Sequence, residues 1–295
     1  METETSRVTS KFCTKIAERL SMASILESSI PKPGNASPLQ DIETVTLRDI
    51  IVSALRLKDS YYNVCLRGYE RRLPIMDRLS EVTDRSFSLL GTALLLFPIA
   101  YSSTFSTDVE QLIHNASLVS VMLTSEDWKW FREALTKLNL SYLGRTDRMD
   151  YRNASVSMGE ILRWSAVYDE IAKEIVAGYP LSKEVYNIIR ENPCGSFSSN
   201  VKWAFIYVLS KQPDGLISRK WGHSIAIKIS QMASKIPPCP QETELQIFND
   251  FLRSRKINPG STADIIAAGI ALHEIGELFD NDIRPPLPRG CDRTT

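Results

Sequence analysis

The chain has 295 residues, of which 43% are hydrophobic and 24% charged, a composition typical of globular proteins with a sizeable core. Its 35 Lys and Arg residues balance its 35 Asp and Glu residues, so the overall charge does not favour a nucleic-acid or anionic-membrane partner. The longest apolar run, residues 89–101, contains Gly91 and Pro98 and is too short to span a bilayer. We therefore expect no membrane and no nucleic-acid partner, and any anion site must be local.

The cysteines are widely spaced and form no Cys-X-X-Cys motif, which favours reduced thiols over a disulfide framework or a zinc site. The polar N-terminal segment does not resemble a signal peptide, so we expect a cytoplasmic protein. The three histidines lie far apart, and a histidine-based metal site is not expected. The five cysteines are Cys13, Cys65, Cys194, Cys239 and Cys291.

The first predicted helix covers residues 11–29, where apolar residues recur at helical intervals. Glu27 lies in its last turn, where a carboxylate is mildly unfavourable with the helix dipole, so it is either exposed or retained for a function. Two prolines and a glycine in residues 30–35 predict a rigid turn. Lys32, between the prolines, suits a phosphate, although an exposed lysine on a stiff linker explains it equally well.

Asp41 follows this turn, and Thr46 with Asp49 has the spacing of a helix cap before residues 47–57. Ser125 is predicted to cap a later amphipathic helix. Further helices are predicted over residues 61–72, 89–101, 107–114, 125–138 and 157–176.

Residues 141–154 are polar and are the best candidate for a mobile loop. The helix predicted after them, residues 157–176, carries Asp169. This aspartate is a candidate functional acid, but an ordinary surface pair with Lys173 at i,i+4 spacing explains it as simply.

Residues 212–222, QPDGLISRKWG, combine an acid, Asp214, with two adjacent cations, Arg219 and Lys220. A helix that ends at the Pro-Asp-Gly turn and is followed by two cations can hold an anion. The alternative is an ordinary connection between helices with a solvated Arg–Lys pair.

Residues 257–264, INPGSTAD, predict a turn followed by a helix that Ser261 or Thr262 can cap. A helix N-terminus preceded by glycine is a natural phosphate site. Asp264 lies in its first turn, and an aspartate beside phosphates suggests Mg²⁺ between them, although a variant of the capping box is the simpler alternative.

The sequence contains no alternating run of strand length, so we predict an all-α fold. We expect a single compact multi-helix domain over residues 1–284 and a disordered tail over residues 285–295.

Five segments in this order resemble the triphosphoribosyl-dephospho-CoA synthase family (the CitG/MdcB type), especially its archaeal branch. The resemblance extends from Leu26 to Leu278, and the ordered set is more specific than any single motif. The segments are Leu26–Glu27 with PKPGN (31–35), Leu90–Gly91 with the apolar residues 94–100, YDEIA (168–172), PDGLISRK (213–220) and NPGSTAD (258–264).

The resemblance implies an all-helical cytoplasmic transferase that joins the triphosphoribosyl unit of ATP to the 2′-hydroxyl of 3′-dephospho-CoA and releases adenine. The product is the precursor of a prosthetic group on an acyl carrier protein, so an acyl carrier protein system would act downstream. The resemblance gives no oligomeric state, and apolar residues such as Trp128 or Trp130 are candidates for a homodimer contact.

We assign site residues on this hypothesis. A carboxylate near the ribose C1′ would stabilise developing positive charge, another would accept the hydroxyl proton, and cations would neutralise the triphosphate. The catalytic candidates are Asp169, Asp214 and Glu27; the nucleotide and phosphate candidates are Lys32, Gly34, Arg219, Lys220, Asn258, Gly260, Ser261 and Thr262; the Mg²⁺ candidates are Asp264 and Asp41.

The sequence departs from the family in two places. Phe87 and Ser88 stand where the family usually has an Asn-Thr pair, and residues 35–44 lack the histidine-containing segment of the family's bacterial branch. An aromatic ring in place of an amide removes a hydrogen bond from a phosphate or ribose site. This favours the alternative that the chain is a catalytically inactive nucleotide-binding homologue with a binding or regulatory role.

Overall fold

The computed structural model describes residues 4–42, 45–140, 149–150, 152, 155–281, 283 and 285. Every regular element in these ranges is a helix, and the β-structure is limited to two isolated bridges between residues 37 and 45. The all-α prediction is therefore confirmed. Most of the loop predicted at 141–154, and the tail from residue 286 onwards, lie outside the described residues.

A short 3-10 turn at Ser103–Phe105 accompanies fourteen α-helices in this described part of the chain. They are α1 (Glu4–Ser29), α2 (Leu47–Glu70), α3 (Asp77–Val82), α4 (Leu90–Ser102), α5 (Val109–Met122), α6 (Ser125–Leu138), α7 (Met158–Ser165), α8 (Glu170–Val176), α9 (Pro180–Glu191), α10 (Phe197–Lys211), α11 (Gly215–Trp221), α12 (His223–Ala233), α13 (Glu242–Ser254) and α14 (Gly260–Asp280).

The long helix α14 is the centre of the fold and packs against α1, α4, α8, α9, α10 and α11. Gly269 allows a close approach to α9, because a Cβ there would lie 2.3 Å from Cβ of Val185 on that helix. Despite this apolar core, no helix in the described ranges is both long and apolar enough to cross a membrane.

Two helices differ from their predicted bounds. The capping box of Thr46 and Asp49 is confirmed, but α2 runs on to Glu70, so two predicted helices form one. The predicted helix 157–176 is instead two helices, α7 and α8. It breaks because Asp169 caps α8: its side chain accepts a hydrogen bond from the Ala172 N–H. This break places Asp169 at the start of a helix.

A third difference is a cap. Thr124, not Ser125, is the N-cap of α6, and its side chain accepts a hydrogen bond from the Asp127 N–H.

The prediction of reduced cysteines is wrong for four of the five. Cys13 and Cys65 form a disulfide between α1 and α2, with their Cα atoms 5.5 Å apart. Cys194 and Cys239 form another, between the segments before α10 and α13. The partners are 52 and 45 residues apart, so only the packing of the helices reveals them. Cys291 lies outside the described residues.

Candidate functional site

A cavity of about 950 Å³ opens where the starts of α4, α8 and α14 meet the end of α1 and the exposed side of α11. Faces of α6 and α7 form a further wall of the cavity. A cavity of this volume is at the upper end of the range for ligand sites, large enough for a nucleotide and part of a second substrate.

The structure brings about half of the predicted site residues to this cavity. Those that line it are Glu27, Asp169, Arg219, Lys220, Asn258, Gly260 and Asp264. Those that do not are Lys32, Gly34, Asp41, Asp214, Ser261 and Thr262.

Asp264 projects from the first turns of α14 toward the start of α4. Its Oδ1 accepts a hydrogen bond of 2.5 Å from the Thr92 hydroxyl, and a Cβ on Gly91 would lie only 2.2 Å from its Oδ2. Burial, together with the charges of Glu27 and Asp214, raises the pKa of Asp264 to about 7, against the opposing effect of the Thr92 hydrogen bonds.

Asp214 is buried and its two oxygens accept hydrogen bonds from two helices. Oδ1 accepts from the Ile217 N–H at 2.9 Å and so caps α11; Oδ2 accepts from the N–H and the hydroxyl of Thr262, at 2.7 and 2.8 Å. Burial raises the pKa of this carboxyl, and the hydrogen bonds from Ile217 and Thr262 counteract part of that rise.

The predicted phosphate site at the start of α14 is therefore occupied by the chain itself. The Thr262 N–H donates to Asp214, the Gly260 N–H to the Asn258 carbonyl at 3.0 Å, and the Ala263 N–H to the Pro259 carbonyl. A carboxylate at a helix N-terminus serves the same electrostatic purpose as a bound phosphate.

Asp169 and Arg219 form an ion pair at the cavity. The Arg219 guanidinium donates to Asp169 Oδ2 and lies 3.4 Å from the Ser261 hydroxyl oxygen. That hydroxyl in turn accepts from the Leu216 N–H, so Ser261 connects α14 with α11. Lys220, beside Arg219, also lines the cavity, and burial and the Arg219 charge lower its pKa.

Glu27 and Lys32 form a buried pair at the end of α1. The Lys32 ammonium lies 3.0 Å from Glu27 Oε1 and donates to the backbone carbonyls of Glu27 and, at 2.8 Å, Ile30. The Lys32 side chain has no exposed surface, whereas both interpretations of the sequence required an exposed ammonium. The sequence does not show this because the turn folds the lysine back under its own helix end.

Two other predicted residues are outside the cavity for packing reasons. Gly34 has a positive φ of 78° and a Cβ there would lie 2.8 Å from the Ile257 carbonyl oxygen, so it joins two loops. Asp41 is exposed and its Oδ1 accepts from the Leu47 N–H at 3.3 Å. The structure does not bring Asp41 together with Asp264 at the cavity.

Comparison with known proteins identifies the family of the chain. A family model described as CitG, ATP:dephospho-CoA triphosphoribosyl transferase, matches residues 13–283. The chain belongs to this family. The family resemblance inferred from the five sequence segments is thereby confirmed, and with it the assignment to a family of transferases that act on ATP and dephospho-CoA.

A solved structure has the same fold as this CitG-family chain. It is a crystal structure from Archaeoglobus fulgidus, assigned as a triphosphoribosyl-dephospho-CoA synthase, with a TM-score of 0.60 and 23% identity. The match covers 75% of this chain and 98% of that one. At this identity the likeness shows the fold. A search among curated proteins found no match.

Three residues that line the cavity were not predicted as site residues from the sequence. Arg85 is exposed at the cavity and forms no ion pair within the described ranges. Asn35 lines the cavity while its buried side-chain oxygen lacks a hydrogen-bond partner, and Thr92 holds Asp264. Arg85 lies two residues before Phe87, where the sequence departs from the family, and Asn35 is the last residue of the PKPGN motif. Both therefore lie in or next to segments that the family resemblance had singled out.

Glu170 was also missed, because it reads as a surface residue. A Cβ on Gly215 would lie 2.0 Å from its Oε2, and that oxygen has no hydrogen-bond partner among the described residues. Burial, together with the charges of Asp169 and Asp214, raises the pKa of Glu170 to about 7, although its own backbone hydrogen bond and the Arg219 charge oppose the rise.

The wall formed by α6 and α7 is apolar and aromatic. Trp164 forms part of it and its ring centroid lies 5.7 Å from that of the exposed Tyr168. Such a wall suits the flat bases or the pantetheine arm of nucleotide substrates. Its other apolar members are Trp128, Phe131, Leu135, Leu138, Met158, Ile161 and Leu162.

The predicted metal ligands are not part of a preformed cluster of three acidic or histidine ligands. Within the described residues, one such group exists, at His273, Glu274 and Glu277, and none of the three lines the cavity. The Arg19 guanidinium lies 2.6 Å from Glu274 Oε2, so this carboxylate is already paired with an arginine.

Proposed function

We propose that this CitG-family chain transfers the triphosphoribosyl group of ATP to a hydroxyl of dephospho-CoA. The bond between C1′ and the adenine nitrogen breaks, and adenine leaves with the electron pair and takes up a proton. The acceptor hydroxyl oxygen forms the new bond to C1′, and its own proton passes to a carboxylate, so that the protons balance. The observation that supports this is one cavity lined by carboxylates and by cations, with a further apolar wall.

The carboxylates that reach the cavity divide into distinct proposed roles. Glu27 is our candidate for the group beside C1′, because it is buried at the cavity floor and would stabilise positive charge there. Asp169, which forms an ion pair with Arg219 at the cavity, is the candidate proton acceptor. We propose that Asp214 positions α11 and α14, because both of its oxygens are already hydrogen-bonded.

Three cations are proposed to bind the triphosphate. All three line the cavity: Arg219, Lys220 and Arg85. An arginine guanidinium can donate two parallel hydrogen bonds to two oxygens of one phosphate. Asn258 and Gly260 would contribute beside them. Ser261, Thr262 and Gly34 would act indirectly, by holding the loops that carry these residues.

We propose Mg²⁺ as the metal bound together with the triphosphate, with Asp264 as its protein ligand. The residues fit, because a carboxylate whose pKa is raised by burial and by neighbouring acids gains from a nearby divalent cation. Mg²⁺ commonly takes one or two carboxylates and completes its shell with phosphate oxygens and water. When bound, it would neutralise phosphate charge.

The alternative, a homologue that binds nucleotide without turnover, rests on Phe87. Phe87 lines the cavity and is 4% exposed, packed with the hydrophobic core. Because a cavity of about 950 Å³ remains with the ring in place, Phe87 does not block it. We therefore place catalysis first.

The partners and location follow from the same proposal. ATP and a coenzyme A precursor are substrates of the cytoplasm, where we place the chain, and the product would supply a system that modifies acyl carrier protein. The two disulfides are unusual for a cytoplasmic protein and argue against this location.

The candidates for a homodimer contact change with the structure. Trp128 is buried and Trp130 is half-buried, so the exposed apolar residues Leu118 and Met122 on α5 are better candidates.

Adenine release tests the proposal. Purified protein is incubated with ATP and Mg²⁺, with and without dephospho-CoA, and adenine is measured by chromatography. We expect adenine only with the acceptor, and a roughly 100-fold lower rate in Glu27→Gln. Glu18→Gln, a matched change on the exposed side of α1, should leave the rate unchanged.

Two outcomes would contradict the proposal. Folded wild-type protein that binds ATP but releases no adenine supports the binding homologue. Protein that neither binds ATP nor releases adenine would leave the cavity without the proposed substrate.

A further inference from the structure

Lys32 directs its ammonium to its own chain. It donates hydrogen bonds to the backbone carbonyls of Glu27 and Ile30 and lies 3.0 Å from Oε1 of Glu27, with which it forms an ion pair. The side chain has no exposed surface and does not line the cavity that we assign to the substrates. Its charge therefore acts on Glu27.

The turn around Lys32 holds this arrangement rigidly. Pro31 and Pro33 restrict the backbone on both sides, and the Lys32 carbonyl accepts from the Asn35 N–H at 3.1 Å. The Gly34 N–H donates to Asn249 Oδ1 at 3.0 Å, which fixes the turn to α13. Moving the ammonium to the cavity would unpair several buried groups at once.

The pair also places a positive charge beside the Glu27 carboxylate. Burial lowers the pKa of Lys32, and the Glu27 charge and hydrogen bond raise it again. Glu27 shares its surroundings with Asp264, whose own pKa the Glu27 charge raises. Lys32 is the cation that contacts Glu27, with its ammonium 3.0 Å from Oε1.

We infer that Lys32 is a positioning residue: it holds the Glu27 carboxylate in a fixed orientation at the cavity. The inference rests on the proposed function, in which Glu27 acts beside the reacting sugar. It replaces the phosphate-binding role that the PKPGN motif suggests for this lysine.

The test separates binding of ATP from the chemical step. Adenine release is measured for wild type, Lys32→Met, Glu27→Gln and the double variant, across ATP concentrations. For Lys32→Met we expect kcat to fall roughly 100-fold with KM for ATP within twofold.

The double variant keeps the inference testable if Lys32→Met folds poorly. Removing both charges avoids a lone buried charge, so the double variant should remain folded. We expect its kcat and KM to equal those of Glu27→Gln, because the lysine has nothing left to position. Lys58→Met, which removes an exposed pair with Glu18 at 3.1 Å, is the matched control and should match wild type.

Three results would overturn the inference. A raised KM for ATP in Lys32→Met with unchanged kcat would make Lys32 a phosphate ligand. Independent, additive losses in the double variant would separate the two residues. Wild-type adenine release that Glu27→Gln leaves intact would remove the role of Glu27 while the proposed function stands; absence of release from wild type would instead defeat the proposed function itself.

Discussion

Thr262 on α14 donates both its N–H and its hydroxyl to the buried carboxylate of Asp214, at 2.7 and 2.8 Å. Two residues further along α14, Asp264 accepts from the Thr92 hydroxyl at the equivalent third position of α4. The starts of α11, α14 and α4 are thus connected in series by two acids. This series fixes the relative position of the helix starts that line the cavity.

We predict that Asp214→Ala destabilises the protein rather than removing a catalytic group. The change strips α11 of its cap and leaves the N–H groups of Ile217 and Thr262 without an acceptor, which should lower the free energy of unfolding by about 3 kcal/mol. Denaturant unfolding followed by circular dichroism measures it. Thr262→Val, which removes only the hydroxyl, should cost about 1 kcal/mol.

A variant with wild-type stability and no turnover would contradict this assignment. Asp214 would then act on the substrate, as the sequence had suggested.

Gly91→Ala is predicted to damage the site while leaving the fold intact. The added Cβ would lie 2.2 Å from Asp264 Oδ2, so that carboxylate must move, whereas alanine is otherwise favourable inside a helix. A displacement of about 1 Å can lower kcat/KM by roughly 100-fold. We expect that loss in adenine release, with a thermal midpoint near that of wild type.

Gly276→Ala is the matched control for this substitution. It adds the same methyl group to α14 away from the cavity, 3.0 Å from a methyl carbon of Val109. Equal kcat/KM in both variants would show that the position of Asp264 does not matter.

The sequence predicts the helices better than it predicts what each polar residue contacts. Periodicity and capping boxes identify helices such as α2, because these signals are local. The motifs also lead to the right neighbourhood, since Glu27, Asp169 and Asp264 do meet at one cavity. That convergence depends on the order of the motifs in a resembled family, not on any single spacing.

Partners distant along the chain are what the sequence cannot show. Lys32 is buried by its own helix end, and Asp214 bonds to Thr262, 48 residues away. The same residue types serve caps and ligand sites, so the distinction requires three-dimensional positions. The disulfide of Cys13 with Cys65 is hidden for the same reason, because α1 and α2 must first pack together.

Glu170 is predicted to make stability decrease as pH rises toward neutrality. Its pKa is raised to about 7 in the folded chain, mainly by burial, from the value of 4.5 that is usual for a glutamate. Folding therefore favours the protonated form. The contribution is fully present below about pH 4.5 and is lost as pH rises through about 7.

Glu170→Gln should remove this dependence. We expect the variant to be more stable than wild type by about 2 kcal/mol at pH 8, after allowance for partial exposure, and nearly equal to it at pH 4.5. Urea unfolding at several pH values measures the difference. Glu184→Gln, an exposed glutamate on α9, is the control, and an equal pH response in both variants would contradict the prediction.

The two disulfides should differ in how readily they are reduced but contribute similarly to stability. Cys13 and Cys65 are fully buried, whereas Cys194 and Cys239 are partly exposed, so a mild thiol reductant should open the second bond first. Each bond closes a loop of about 50 residues, for which chain entropy gives about 4 kcal/mol. Paired Cys→Ala variants at each bond, unfolded in urea, measure these contributions. Two thiols should become titratable before the others under native conditions, and simultaneous release of all four would show that burial does not protect the Cys13–Cys65 bond.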